Sequence, residues 1–156
     1  MPSNATDRFL ARAAALGLEL TPRRFPDGTR TAPEAARAVG CDVAQIVKSL
    51  VFVVDERAVL VLTSGANRVD EAKLAAASGA SSVRKATAAE VRAATGYAIG
   101  GTPPFGHDTE LEVLCDRHLL NHEVVWAAAG TPMDVVPLTP EQLLAASRAT
   151  PVEIHA

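Results

Sequence analysis

Lys48 is the residue whose setting most invites chemistry. It is the only charged residue between Asp42 and Asp55, inside the run Val43-Ala44-Gln45-Ile46-Val47-Lys48-Ser49-Leu50-Val51-Phe52, where the pattern turns from helix to buried strand. A lysine there either snorkels its ammonium to water or points it into a pocket and binds an anion. The second feature is Gly96-Tyr97-Ala98-Ile99-Gly100-Gly101-Thr102-Pro103-Pro104-Phe105-Gly106-His107, which holds four of the ten glycines and two of the ten prolines. Gly100-Gly101 opens backbone angles closed to other residues and lets a ligand approach the main chain. Pro103-Pro104 then fixes φ and removes two donors. Such a loop can present backbone N–H groups to an anion or a carbonyl; it can equally be a long turn between two strands.

Other candidates carry less. His118 and His122 stand four apart and would face one way on a helix. No third ligand has motif spacing and HExxH is absent, so no metal is expected. There is no GxSxG, no P-loop and no dinucleotide fingerprint after a strand, and no cofactor is expected. His107, His155 and the two cysteines read as surface or core residues. Asp134 lies in the apolar strand Met133-Asp134-Val135-Val136, where alternation would send a lone carboxylate to solvent.

The elements that must position these residues follow from composition and pattern. A chain of 156 residues with 48% hydrophobic content fits one domain with a true core, spanning 1–156, rather than disorder. No apolar run reaches the length of a membrane span. Met1-Pro2-Ser3-Asn4-Ala5-Thr6-Asp7 lacks the charged and apolar regions of a leader. Cys41 and Cys115 lie outside any CxxC pair, which argues against a secreted disulfide framework and makes cytoplasm the default. The net charge is −3, whereas a protein that coats nucleic acid through charge alone is basic, so any such contact must be local.

Helices and strands alternate. Asp7 caps a helix to Leu16, and Leu18 to Pro22 reads as a short strand. Thr31-Ala32-Pro33-Glu34, Thr87-Ala88-Ala89-Glu90 and Thr139-Pro140-Glu141-Gln142 are capping boxes that open helices. Asp42 to Lys48 reads as a second short helix. Ser49 to Val54 and Ala58 to Thr63 are nearly continuous apolar strands, covered on both faces. Asp70 caps a helix over 71–78, and Ser82 to Lys85 is a strand. Leu111 to Cys115, Glu123 to Ala128 and Met133 to Pro137 are strands, the last two a hairpin. The order gives an α+β, or mixed α/β, fold around a sheet of about six strands.

Four segments in this order resemble one family. They are Gln45-Ile46-Val47-Lys48-Ser49-Leu50; Gly65 with Asn67-Arg68-Val69-Asp70; the loop Gly96 to Gly106; and Ala129-Gly130-Thr131-Pro132. They look like the YbaK/ProX family, free-standing relatives of the editing domain of bacterial prolyl-tRNA synthetase. The resemblance runs from about Leu18 to Ser147. It implies a mixed, partly open β-barrel flanked by helices, and an aminoacyl-tRNA deacylase that hydrolyses the ester of a mischarged tRNA. In the family the lysine matching Lys48 is required, and the loop matching Gly100 to Pro104 shapes the aminoacyl pocket. An activated ester needs a positioned water and stabilisation of the developing oxyanion, which the N–H groups of Gly100 and Gly101 could supply. Thr102, Pro103, Pro104, Gly65, Asn67, Thr131 and Asp134 are the implied substrate-binding residues. The implied partner is aminoacyl-tRNA through its 3′ acceptor end, with a synthetase as a further candidate; neither a membrane nor DNA is expected.

Two departures stand out. Cysteine-specific members carry a serine near the turn matched by Ala127-Ala128-Ala129, and alanine-specific members a histidine where this chain has Thr131. Neither specificity transfers. The small residues there point instead to a small amino acid, with Thr131 or Thr102 as hydrogen-bond partner. Asn67 and Arg68 match a variant branch. The reading from another class is a non-catalytic module that binds tRNA ends or a small nucleotide in the same pocket.

Overall fold

A single mixed, eight-stranded sheet frames the chain in the computed structural model, which describes residues 4–156. Met1-Pro2-Ser3, part of the stretch read for a leader, lie outside the described residues. The strands are β1 (Arg23–Arg24), β2 (Ile46–Val54), β3 (Arg57–Ser64), β4 (Val83–Lys85), β5 (Glu112–Asp116), β6 (Val125–Ala128), β7 (Asp134–Leu138) and β8 (Thr150–Val152). The helices are α1 (Ala5–Ala15), α2 (Ala32–Val39), α3 (Glu71–Ser78), α4 (Ala88–Thr95) and α5 (Pro140–Ser147). Strand order is β1-β7-β6-β2-β3-β5-β8, with β4 added to β2. The α/β class with a mixed sheet flanked by helices is therefore as expected.

The longest pairing is the antiparallel β2–β3 hairpin, Val47↔Ser64 through Val54↔Arg57. Asp55 and Glu56 both take positive φ, 46° and 72°, as a two-residue hairpin turn of primed type requires. Both faces of the hairpin are covered. Val47, Val51, Leu60 and Leu62 meet Phe9 and Tyr97 on one face, while Phe52, Val59 and Val61 meet Leu74 and Ile154 on the other. The boxes at Thr87 and Thr139 form in full. At Thr31 only half forms: the hydroxyl accepts from Glu34 N and donates to that residue's own carboxylate. Among the described residues no helix is long and apolar enough to cross a membrane.

Asn4, not Asp7, caps α1, and four further expectations are corrected. Asp42 to Lys48 is not a helix: a short 3₁₀ turn over Val43–Gln45 gives way to β2 at Ile46, so Lys48 is a strand residue. The β-branched pair Ile46-Val47 has strand partners on β6, and pairing outweighs weak helix propensity. Leu18 to Pro22 is irregular; the short strand is the next pair, Arg23–Arg24, against β7. The sheet has eight strands rather than about six, because β1 and the Pro-containing edge strand β8 are too short to show in a sequence pattern.

Asp134 is the fourth correction. It is 4% exposed rather than solvent-facing, because β7 has no solvent face. Val136 and Leu138, on its own face, belong to the main core, and α1 supplies Thr6 and Phe9 over it. The carboxylate accepts from the Thr6 hydroxyl at 3.1 Å, from Arg24 Nη1 at 2.9 Å and from the Thr131 hydroxyl. Asp134→Ala strands these donors at once. It should lower the free energy of unfolding by about 3 kcal/mol in urea titrations. A loss under about 0.5 kcal/mol would show that the carboxylate does not hold α1 to the sheet.

Candidate active site

One side of β2 is left open in its middle. There β6 pairs with β2 only through Ile46↔Trp126 and Val47↔Ala127, and β4 only from Phe52↔Lys85 to Val54↔Val83. Residues 48–51 have no strand between those two. A cavity of about 380 Å³ lies over this gap. Register places Ile46, Lys48 and Leu50 on one face with Trp126 and Ala128, and these form its floor with Val135. The segment Thr29 to Ala35 at the start of α2, the loop at Ile99-Gly100 and Thr102, and Lys85-Ala86 form its walls. Three lining residues are cations, Arg30, Lys48 and Lys85; none is a carboxylate.

Lys48 is half-buried, and its Nζ donates to the backbone oxygen of Asn67 at 2.5 Å. Burial lowers its pKa from the ordinary lysine value; Lys85 and Arg68 push it the same way, and Asp116 opposes them. Asn67 does not line the cavity but aims Lys48. Its Nδ2 donates to Asp116 Oδ2 at 2.8 Å and lies 2.8 Å from His118 Nδ1. Asp116 is fully buried and also accepts from Ser64 N at 3.2 Å and His118 N at 3.0 Å. His155 stacks on His118 with ring centroids 4.1 Å apart. The segment carrying it is tied to the same loop by Asp70 N to Ile154 O at 2.7 Å and Ala156 N to Arg68 O at 2.8 Å. The histidine beside His118 is thus His155, not His122, and topology rather than spacing makes the pair. Donor atoms of Asp116, His118 and His155 lie within 4.8 Å of one another. Both Asp116 oxygens and His118 Nδ1 already face N–H donors, so the cluster acts as a hydrogen-bonded post under Asn67.

The glycine loop divides its labour. Ala98 to Gly101 is a turn closed by Gly101 N to Ala98 O at 3.0 Å, with Gly100 third at φ 86°, the type II position that demands glycine. Gly101 N–H is therefore spent inside the turn. Gly100 lines the cavity, and its N–H has no partner among the described residues. Gly101 serves by being thin: a Cβ there would come within 2.8 Å of the Thr131 backbone. The hydroxyl of Thr102 donates to Ala98 O at 3.0 Å and keeps its lone pairs at the cavity wall. Pro103 and Pro104 stand behind, and His107 Nε2 lies 2.7 Å from Pro103 O. Burial pushes the His107 imidazole toward its neutral form. Gly65 lines the cavity where a Cβ would strike Val43 O. Thr131 and Asp134 lie off the lining, and the Thr131 hydroxyl is occupied by Asp134 and by Met133 N. Arg30, Lys85 and Trp126 were not picked out from sequence; no motif marks them, and only the fold brings them to one cavity.

A cationic, carboxylate-free cavity lies in the gap of a mixed sheet, with a glycine turn at its lip, and its charge favours an anionic group. The chain belongs to the aminoacyl-tRNA editing domain family, which matches residues 26–146. A solved structure described as a candidate trans-editing enzyme for prolyl tRNA synthetase is 44% identical, with a TM-score of 0.93, over 100% of this chain and 99% of that one. The YwhH protein of Bacillus subtilis (strain 168), itself described as uncharacterized, is 31% identical over 120 residues, 76% of each chain. The proline–tRNA ligase of Limosilactobacillus fermentum is 32% identical over 106 residues, 65% of this chain but 18% of the ligase.

Two outcomes follow from the geometry. Asp116 is the charge that favours protonated Lys48, so Asp116→Asn should make Lys48 lose its proton at lower pH than in the wild type. A merely loosened fold would admit water to Lys48 and move the midpoint upward, toward the ordinary lysine value. Titration of ¹³C-labelled lysine side chains by NMR separates the two directions. Gly101→Val should cost about 1–3 kcal/mol of stability by driving the loop off Thr131. Unchanged unfolding and unchanged rates would show that the contact between the two loops can yield.

Proposed function

We propose that this chain is an aminoacyl-tRNA deacylase, hydrolysing in trans the ester that joins a small amino acid to the 3′ end of a mischarged tRNA. The observation that carries this reading is the cavity lining: three cations and no carboxylate, among the small residues Ala32, Ala35, Gly100 and Ala128. The cations suit the phosphates of an RNA end, and the small apolar walls suit a small aminoacyl group. Action in trans is supported by the full-length likeness to the candidate trans-editing enzyme.

The chemistry asked of the site is modest. Water attacks the ester carbonyl carbon, charge develops on the carbonyl oxygen, and the ribose hydroxyl leaves with a proton. Preorganised donors aimed at the developing oxyanion lower this barrier. Lys48, aimed by Asn67, and the free N–H of Gly100 take that role here. Thr102 offers its hydroxyl to the substrate. Gly65 keeps the floor open. Pro103, Pro104, Gly101, Thr131 and Asp134 shape the pocket from behind it. The second reading, a module that binds RNA ends without turnover, shares every one of these contacts except the need for Lys48 at the oxyanion.

Lys48 therefore decides between them. Lys48→Ala and Lys48→Arg should both lose deacylation by about a hundredfold or more, since a planar fork cannot replace a compact ammonium at an oxyanion. Affinity for an uncharged acceptor-stem RNA should fall less than about tenfold, or about 1.4 kcal/mol. Single-turnover rates on a panel of misacylated tRNAs, with binding curves on the same preparations, measure both. Full activity in Lys48→Ala removes Lys48 from the site, and binding without hydrolysis across the panel favours the module.

A further inference from the structure

Phosphates and an ester account for the cations of the cavity, but not for its aromatic floor. Trp126 is the only tryptophan of the chain. It pairs in register with Ile46, so its indole emerges on the face that carries Lys48, one strand across and two residues along. Those steps of about 4.8 Å and about 6.6 Å put the two side-chain roots roughly 8 Å apart, about the reach from a stacked base across its ribose. Part of the indole packs on the cluster of Ala32, Ala35, Ala36 and Ile46, and the rest faces the cavity. Ile99, another lining residue, is a large apolar side chain left 54% exposed.

The cation over the indole has aromatic neighbours but no ion pair. Arg23 holds its guanidinium 5.6 Å from the indole centroid and 5.2 Å from the ring of Phe25. No carboxylate of the described residues pairs with it; the arginine ion pairs are those of Arg12, Arg24, Arg57 and Arg84. A partly open indole that lines a cationic cavity, with an arginine free of carboxylates over it, supplies the two parts of a sequence-tolerant stacking platform for a base at the end of a single strand.

We propose that Trp126, flanked by Arg23, is a nucleobase subsite that stacks the 3′-terminal base of a single-stranded RNA end. This rests on the reading above for what lies beyond the base, namely the ribose and its ester at Lys48. The base itself is held by its π-face. Arg23, an exposed side chain that lies over the indole, swings aside to admit the base and closes beside it.

Because Trp126 is the only tryptophan, its emission reports this subsite alone. The probes are the RNA trinucleotide CCA and the same trinucleotide with an abasic 3′ ribose. CCA should quench Trp126 emission saturably, and the abasic probe should bind the wild type about tenfold more weakly by calorimetry. Trp126→Phe, which keeps a ring, should hold CCA within about threefold of the wild type. Trp126→Ala should lose the preference for CCA over the abasic probe while binding the abasic probe as the wild type does. The proposal is overturned if CCA binds with no change in emission, if the two probes bind the wild type alike, or if Trp126→Phe loses as much as Trp126→Ala. Stacking of CCA by a protein that hydrolyses no misacylated tRNA leaves this subsite standing and removes the deacylase reading. Hydrolysis without stacking does the reverse.

Discussion

The structure depends on a strand that is paired along one side and interrupted along the other. β2 is joined to β3 over its whole length but meets β6 at one end and β4 at the other, with residues 48–51 between them. Unpaired backbone polar groups inside a protein are costly, so such a gap persists only where water or a ligand can reach it. The gap is therefore also the cavity, and the residues it exposes are those with the greatest claim to a role. Full pairing with β3 is what makes the gap rigid. The primed turn at Asp55-Glu56 fixes that register, and a slip of one residue would turn Lys48 into the main core.

Charge is arranged around the gap against local stability. Three cations converge on Lys48 or line the cavity with it, Lys85, Arg68 and Arg30, in a chain whose net charge is −3. The carboxylate that compensates Lys48 is kept one residue away, behind Asn67. A direct Asp116–Lys48 pair would neutralise the ammonium and leave nothing for a substrate anion. Routing the contact through a neutral backbone carbonyl gives direction without quenching the charge. The post beneath Asn67 then has to be stiff, which explains why β5, the loop after β3 and the segment around His155 converge there.

Much of this was legible in the sequence, and the exceptions share a cause. Lys48 and Gly100 stand out by type and spacing, because a charge in an apolar run and a glycine where a turn needs positive φ are local signals. The capping boxes and the β2–β3 and β6–β7 hairpins are local too. What failed depends on contacts between distant segments. Lys48 is in a strand because β3 pairs it with Thr63 and β6 pairs the two residues before it. Asp134 is buried because α1, over a hundred residues earlier, covers its face. Gly101 is held against the Thr131 backbone, a neighbour that spacing does not show. His118 finds His155 only through the bridge between Val69 and His155. Arg30, Lys85 and Trp126 come from three elements and carry no pattern of their own.

The two glycine loops settle how thick the pocket wall can be. Gly130 N donates to Gly101 O at 3.0 Å, and a Cβ on either glycine would meet main chain, the Thr131 backbone at one and the Ala5 carbonyl at the other. Three layers of backbone are thus stacked with no side chain between them: the turn at Ala98 to Gly101, the turn at Gly130-Thr131, and the start of α1. Asp134 bolts the outer two together through Thr131 and Thr6. A wall made of main chain has little freedom to yield, unlike one made of rotamers. Side chains on its inner side, Ala128 and Val135 on the floor and Thr102 at the lip, therefore bound the size and polarity of the cavity, while the Thr131 hydroxyl holds the wall still through Asp134. Under the proposed function, selectivity is then a property of a rigid, small-residue cavity rather than of one polar side chain reaching for the substrate.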